Sequence, residues 1–206
     1  KYYWDPEGIN EEMVISVTGV ANFFKPPYSG PPSAGWRGTH VHRAMEAKAN
    51  GDPLPNNVSP EGINCKKWIE RLIKLRFWDH VQVLGSEYTM VSRRRGLGGQ
   101  LDLLVQKDDG TKCLIDLKTK NANWEGPTEK DKISWMTQAG GYLDLLTTGD
   151  DAGMPIWVEK AVTLVVTPEK TVWVPGHGES YDIYEVAHLW SDAWLTYLAY
   201  QEANPF

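Results

Sequence analysis

Cysteine is nearly absent from this chain, with Cys65 and Cys113 the two among 206 residues. Two thiols cannot build a four-cysteine zinc or iron-sulfur site, and they do not suggest a disulfide-stapled secreted scaffold, so a reducing compartment is expected. Long hydrophobic runs are missing as well. No stretch approaches the roughly 18 apolar residues of a membrane helix, and the opening KYYWDPEGIN does not read as a signal peptide, so neither insertion nor export is expected. Positive charge is also scarce. With 21 Lys and Arg against 27 Asp and Glu the formal net charge is -6, so any nucleic-acid site has to be a local basic patch. There is no internal repeat and no low-complexity tract. The composition, 41% hydrophobic and 23% charged, suits one globular domain spanning residues 1–206.

The punctuation of the chain is uneven. Residues 25–35, KPPYSGPPSAG, read as an irregular loop or a mobile cover between a short helix near residues 16–24 and a longer one over 36–49, which NGDP stops. Another helix is predicted over 60–78, with Ser59 as N-cap and Pro60 at the first position. The period then changes to two. Residues 81–91, 100–107 and 112–119 read as strands, and KDDG between the last two is a hairpin turn signal. Residues 131–147 return to helix, KAVTLVVTP and KTVWVP form a second strand pair, and the chain ends in a helix. That last helix carries an apolar stripe of Val186, Leu189, Trp190, Ala193, Trp194, Tyr197 and Leu198. The order predicts an α/β or α+β domain, a central mixed β-sheet flanked by helices.

The segment GGQLDLLVQKDDGTKCLIDLKTK holds charges inside two otherwise apolar strands. Asp116 and Lys118 share a strand face, opposite to Ile115 and Leu117, and Asp102 likewise parts from Leu101 and Leu103. Residues 102 and 116 are equidistant from residue 109 at the turn, so a hairpin places the two carboxylates close together. Buried carboxylates that face each other are costly unless something positive compensates them. A divalent cation such as Mg²⁺ is a natural remedy, and Lys118 would stabilise charge developing on a phosphate beside it. The alternative is an ordinary solvated edge strand.

Two further clusters lie on predicted helices. In RGTHVHRAMEAK, His42 and Glu46 share a face while His40 projects elsewhere; in SWMTQAGGYLDLL, Gln138 and Tyr142 stand one turn apart. Alone, each is as readily structural or solvent-facing. In this order, however, Gly38, Thr39, His42 and Glu46, then Gly99 and Asp102, then IDLKT with Asp116, Lys118 and Thr119, then Gln138 and Tyr142, resemble the RecB-like branch of the PD-(D/E)XK nuclease superfamily. The similarity spans residues 16–146 and is nearest to the compact phage and mitochondrial genome-maintenance exonuclease type.

That resemblance implies a restriction-endonuclease-like core and a metal-dependent DNA nuclease, an exonuclease on single strands or DNA ends in replication, recombination or repair. It implies Mg²⁺ or Mn²⁺ held by His42, Asp102, Asp116 and the Leu117 backbone carbonyl, with Glu87 as a further acidic ligand, Lys118 as the catalytic ammonium, and Gln138 and Tyr142 in support. Leu101 stands where the superfamily name has Pro. The branch members with an iron-sulfur cluster are excluded by the cysteine count. The partners implied are DNA with single-stranded character or free ends and other replication or recombination proteins, in the cytoplasm of a bacterium or phage-infected cell, or in an organelle. An endonuclease and an inactive nucleic-acid-binding scaffold are the alternative functions on this fold. Arg37, Arg93, Arg94 and Arg95, and Lys118 with Lys120, are candidate phosphate contacts, and Trp36 is a candidate stacking platform.

Overall fold

Alternating apolar residues and glycine breaks fold the first half of the chain into β1 (Tyr2–Tyr3), β2 (Val14–Ser16), α1 (Val17–Ala21), α2 (Pro32–Asn50), α3 (Lys66–Ile73), β3 (Val81–Ser92), β4 (Leu97–Lys107) and β5 (Lys112–Thr119). The second half adds α4 (Glu129–Thr148), β6 (Lys160–Val166), β7 (Thr171–Val174) and α5 (Ile183–Ala203). The structure, a computed structural model, describes residues 2–3, 14–23, 25, 30–148 and 155–204. No described helix is long and apolar enough to cross a membrane.

The expected mixed sheet flanked by helices is present. Among the described residues it has seven strands, in the order β1-β2-β4-β5-β6-β7, with β3 on the other edge of β4. β3, β4 and β5 are antiparallel neighbours, β6 returns parallel to β5, and β7 pairs antiparallel with β6. The β4–β5 register runs from Gln106 opposite Lys112 to Leu103 opposite Ile115, the pairing expected from the turn. Gly110, at φ 85°, closes that turn at a backbone angle open to glycine.

Each sheet face carries its own core. On one side α1, α4 and α5 pack Val17, Leu143, Leu146, Val186 and Trp190 against Leu101, Leu104, Leu114 and Val165. On the other, α2 and α3 pack Val41, Met45, Ile69 and Leu72 against Leu103, Val105, Ile115 and Leu117. The expected stripe of α5 faces the first core, apart from Leu198, which is exposed.

Three boundaries differ from expectation for identifiable reasons. The helix predicted over 60–78 is confined to Lys66–Ile73. The Ser59 hydroxyl does cap a backbone N–H, that of Ile63 at 3.2 Å, but within a turn where Gly62 takes φ 83°. Residues Arg76–His80 form a separate 3-10 turn. The loop expected at 25–35 is shortened because α2 starts at Pro32, where proline loses no helical hydrogen bond. Residues 26–29 of the expected cover lie outside the described residues, as does Phe24 of the predicted first helix. Finally, β2 was not expected: its three residues gain strand character from parallel pairing with the distant Leu97 and Gly98.

Candidate active site

One edge of β4 changes partner along its length. β2 pairs with Leu97 and Gly98, β5 pairs with residues 103–106, and the four residues between have no partner strand on that edge. Asp102 stands at the end of this gap. Its Oδ2 accepts the backbone N–H of Leu117 at 2.6 Å, so a carboxylate takes the place of the next ladder bond. The face alternation of β4 also slips here, since Leu101 and Leu104 join one core while Leu103 joins the other. The opening lets helices from both layers reach the same point.

From α2 comes His42. Its Nδ1 lies 3.1 Å from Glu87 Oε1 and 3.4 Å from Asp102 Oδ1, and its Nε2 lies 3.1 Å from the Leu117 carbonyl oxygen. Ligand atoms of His42, Glu87 and Asp102 all lie within 4.8 Å of one another, close enough to share one ion. Glu87 is the one described non-glycine residue at positive φ, 47°. Such strain persists only where the surroundings over-determine it, and here it accompanies a side chain aimed at His42.

From β5 come Asp116 and Lys118, on one face as expected. The Lys118 ammonium donates to Asp116 Oδ1 at 2.8 Å and to Gln138 Oε1 at 3.1 Å. Gln138 Nε2 in turn donates to the Tyr142 hydroxyl at 2.7 Å and to Thr18 Oγ1 at 3.3 Å. Gln138 and Tyr142 are therefore buried members of a chain of polar contacts that orients Lys118. Asp116 Oδ2 is buried and has no hydrogen-bond partner. Asp116 lies outside the His42, Glu87 and Asp102 trio, its other oxygen drawn to Lys118.

The electrostatics follow from this packing. Burial opposes the His42 imidazolium, but Asp102 and Glu87 outweigh it and raise its pKa to about 10. Burial likewise works against ionised Asp102, and the His42 charge and its hydrogen bond overcome that to hold Asp102 low. Asp116 is pushed up to about 6, by burial first, with Lys118 opposing and Asp102 adding to the rise. Lys118 is held above the ordinary lysine range because Asp116 and Asp102 outweigh its burial. With their pKa values raised, His42 and Lys118 both favour the charged form, the positive charge that clustered carboxylates need.

A cavity of about 700 Å³ opens over this cluster, and Glu46 and Thr119 line it as well. Gly99, the motif glycine before Asp102, lets α4 and α1 approach β4: a methyl group there would lie 3.0 Å from Tyr142 Cε1 and 3.1 Å from both Leu145 and Val17. Lys120, an expected phosphate contact, lines the cavity too, and three lining residues were not anticipated: Thr18, Arg43 and Gln100. Arg43 is the sequence neighbour of His42 and could have been found by adjacency. Thr18 comes from α1, which only tertiary packing brings to the site.

The other expected contacts stand elsewhere. The Arg37 guanidinium lies 5.2 Å from the Trp68 ring centroid, and Trp36 is an exposed residue of α2; neither lines the cavity. Arg93, Arg94 and Arg95 form a 3-10 turn between β3 and β4. Arg95 pairs with Asp144 and lies 5.3 Å from the Trp194 ring centroid, bracing α4 against α5. Arg95→Ala is therefore expected to lower the thermal midpoint by a few degrees, on the order of 1 kcal/mol, and to leave oligonucleotide binding unchanged. Arg43→Ala is expected to do the reverse. Calorimetric melting and anisotropy titration of both variants check this.

No protein-family model and no curated protein matches this chain. Among solved structures, that of SSO0001 is similar with a TM-score of 0.36 and 14% sequence identity, over 92% of this chain and 79% of that one.

Proposed function

We propose that this chain is a metal-dependent deoxyribonuclease of the PD-(D/E)XK type, acting on single-stranded DNA or free DNA ends. The observation that carries the reading is the convergence of His42, Glu87 and Asp102 within ion-binding distance, beside the Asp116–Lys118 pair, at the gap in one sheet edge. The donor set fits a hard divalent ion: it is mainly carboxylate oxygen, and the buried Asp116 Oδ2 without a partner is a further oxygen in want of positive charge. His42, Asp102, Glu87, Asp116 and the Leu117 carbonyl are the groups that would hold Mg²⁺ or Mn²⁺. When bound, the ion would supply positive charge to polarise a phosphoryl oxygen and make bound water more acidic.

The protein's own groups account for the remainder. Lys118 presents an ammonium, fixed by Asp116 and Gln138, to negative charge developing on phosphate. Tyr142 and Thr18 hold the Gln138 amide and so keep that ammonium from swinging into solvent. Arg43 and Lys120, which both line the cavity, provide phosphate contacts in a chain whose overall charge is negative.

Titration calorimetry with Mn²⁺ tests the ligand assignment. His42→Ala is expected to weaken binding about tenfold or more, as loss of a donor from such a site does. His40→Ala is expected to leave affinity intact, because His40 faces away and holds the Asn56 carbonyl at 2.6 Å. An imidazole nitrogen among oxygens should also favour Mn²⁺ over Mg²⁺. Weakening by the His40 change alone would overturn the assignment. Digestion from an end is tested separately: covalently closed single-stranded circles should survive conditions that degrade linear DNA of the same sequence, and equal cutting of both would make the enzyme an endonuclease.

A further inference from the structure

Beside the cavity over Asp102 and Lys118 lies a second one, of about 530 Å³, that none of the motif residues predicts. The two are continuous: Thr18, Lys118, Trp135 and Gln138 line both. At its far side Lys25, from the segment after α1, donates to the Ser134 hydroxyl on α4, and Ser134 Oγ lies 3.4 Å from Asn22 Oδ1. Lys130 adds a second ammonium to this wall. Asp131 is the acidic residue lining this annex, but its Oδ2 accepts from the Thr128 hydroxyl at 2.7 Å and N–H at 3.0 Å, and its Oδ1 faces Lys120 at 3.4 Å. Its charge is thus largely engaged, and the annex keeps an excess of positive charge.

Lys25 has an arrangement that a solvated surface lysine lacks. Its ammonium is bonded across to another element, and partial burial together with the repulsion of Lys118, against the pull of Asp131, holds it below the ordinary lysine range. Two ammonium groups close enough to repel one another, lining one cavity together with the Ser134 hydroxyl and the Gln138 amide, are donors suited to an anion.

We propose that the Lys25–Ser134 annex is a second phosphate site, gripping the DNA backbone next to the nucleotide held over Asp102 and Lys118. This rests on the nucleic-acid reading of the neighbouring cavity and adds to it a direction: the bound DNA strand runs from the sheet gap along the N-terminal half of α4 toward the segment after α1. The contact is to phosphate oxygen, so it carries affinity and no base preference.

The test is anisotropy titration of a labelled thymidine oligonucleotide of about 12 nucleotides, in EDTA, across a series of salt concentrations. Lys25→Ala is expected to weaken binding about fivefold at low salt and to reduce the slope of log affinity against log salt by about 0.7, the loss of one single-strand phosphate contact. Lys25→Arg should keep the wild-type slope, and Lys66→Ala, a charge removed from α3, should behave as wild type. A dinucleotide, too short to fill both cavities, should bind wild type and Lys25→Ala alike. If Lys25→Ala bound the longer oligonucleotide with wild-type affinity and slope, the annex would be no phosphate site, whatever the cleavage result. If wild type did not bind the oligonucleotide, the annex would fall together with the nucleic-acid reading. If wild type bound it with the Lys25 dependence but cut nothing when Mn²⁺ was added, the hydrolytic reading would fail and the annex would stand.

Discussion

Lys118→Met and Asp116→Asn are each expected to reduce hydrolysis of labelled DNA by about 10²-fold or more, the range for removing a group that meets charge in the transition state. The stability of the two variants should diverge. Lys118→Met leaves the buried Asp116 carboxylate without its ammonium, and breaking a buried pair from one side costs on the order of 3 kcal/mol. Asp116→Asn removes the charge that needed compensation but leaves Lys118 with Gln138 as partner. The double variant Asp116→Asn with Lys118→Met removes both charges, so its melting temperature in EDTA should recover part of the Lys118→Met loss while hydrolysis remains absent. That pattern separates a catalytic pair from a structural one. A purely structural pair would show activity that rises and falls with the melting temperature.

Gly140→Ala is the second large effect, and it acts through the helix that carries Gln138 and Tyr142. α4 and α5 touch at Gly140 and Gly141, where an added methyl group would lie 2.4 Å from the Val186 carbonyl oxygen and 2.6 Å from Trp190 Cβ at the first position. At the second it would lie 2.5 Å from Val17 Cγ1. The obstacle at Gly140 is backbone, so no side chain can swing aside and α4 and α5 have to move apart. Overpacking of this kind costs about 1–3 kcal/mol; in a domain of this size that lowers the thermal midpoint by roughly 3–10 °C. Displacement of α4 should also loosen the Gln138–Lys118 contact and lower turnover. A wild-type midpoint in Gly140→Ala, read by differential scanning calorimetry, would mean that α5 does not cross α4 there.

The parts of this structure that could be read from sequence are those in which local pattern and tertiary demand agree. The β4–β5 hairpin has alternation on both sides of a glycine-closed turn, so its register follows from counting, and with it the shared face of Asp116 and Lys118. The α2 positions of His42 and Glu46 follow from helical spacing in the same way. What was not legible depends on partners far away in sequence. β2 is too short to show a period and exists because Leu97 and Gly98 pair with it. Thr18 and Lys25 reach the site through the docking of α1 and its following segment on α4. Arg93 to Arg95 looked like a phosphate patch because the sequence shows charge and not direction, and the pairing of Arg95 with Asp144 appears only when α4 is packed. The prominence of Glu87 came from the structure, since its backbone strain has no sequence signature.

Asp102 is the residue whose setting calls most for a cation. A strand residue whose carboxylate caps the neighbouring strand's N–H, faces a histidine from α2 and sits where the sheet parts is costly to bury without positive charge beside it. Its placement makes physical sense if a cation joins it.

The most direct measurement is therefore digestion of end-labelled single- and double-stranded oligonucleotides by the purified chain, with Mg²⁺, Mn²⁺ or EDTA, resolved on a denaturing gel. The account predicts shortening of the single-stranded label with either metal, faster with Mn²⁺, none in EDTA, and none with Asp102→Asn under any condition. Intact substrate with both metals, or cleavage that persists in EDTA or in Asp102→Asn, would contradict it.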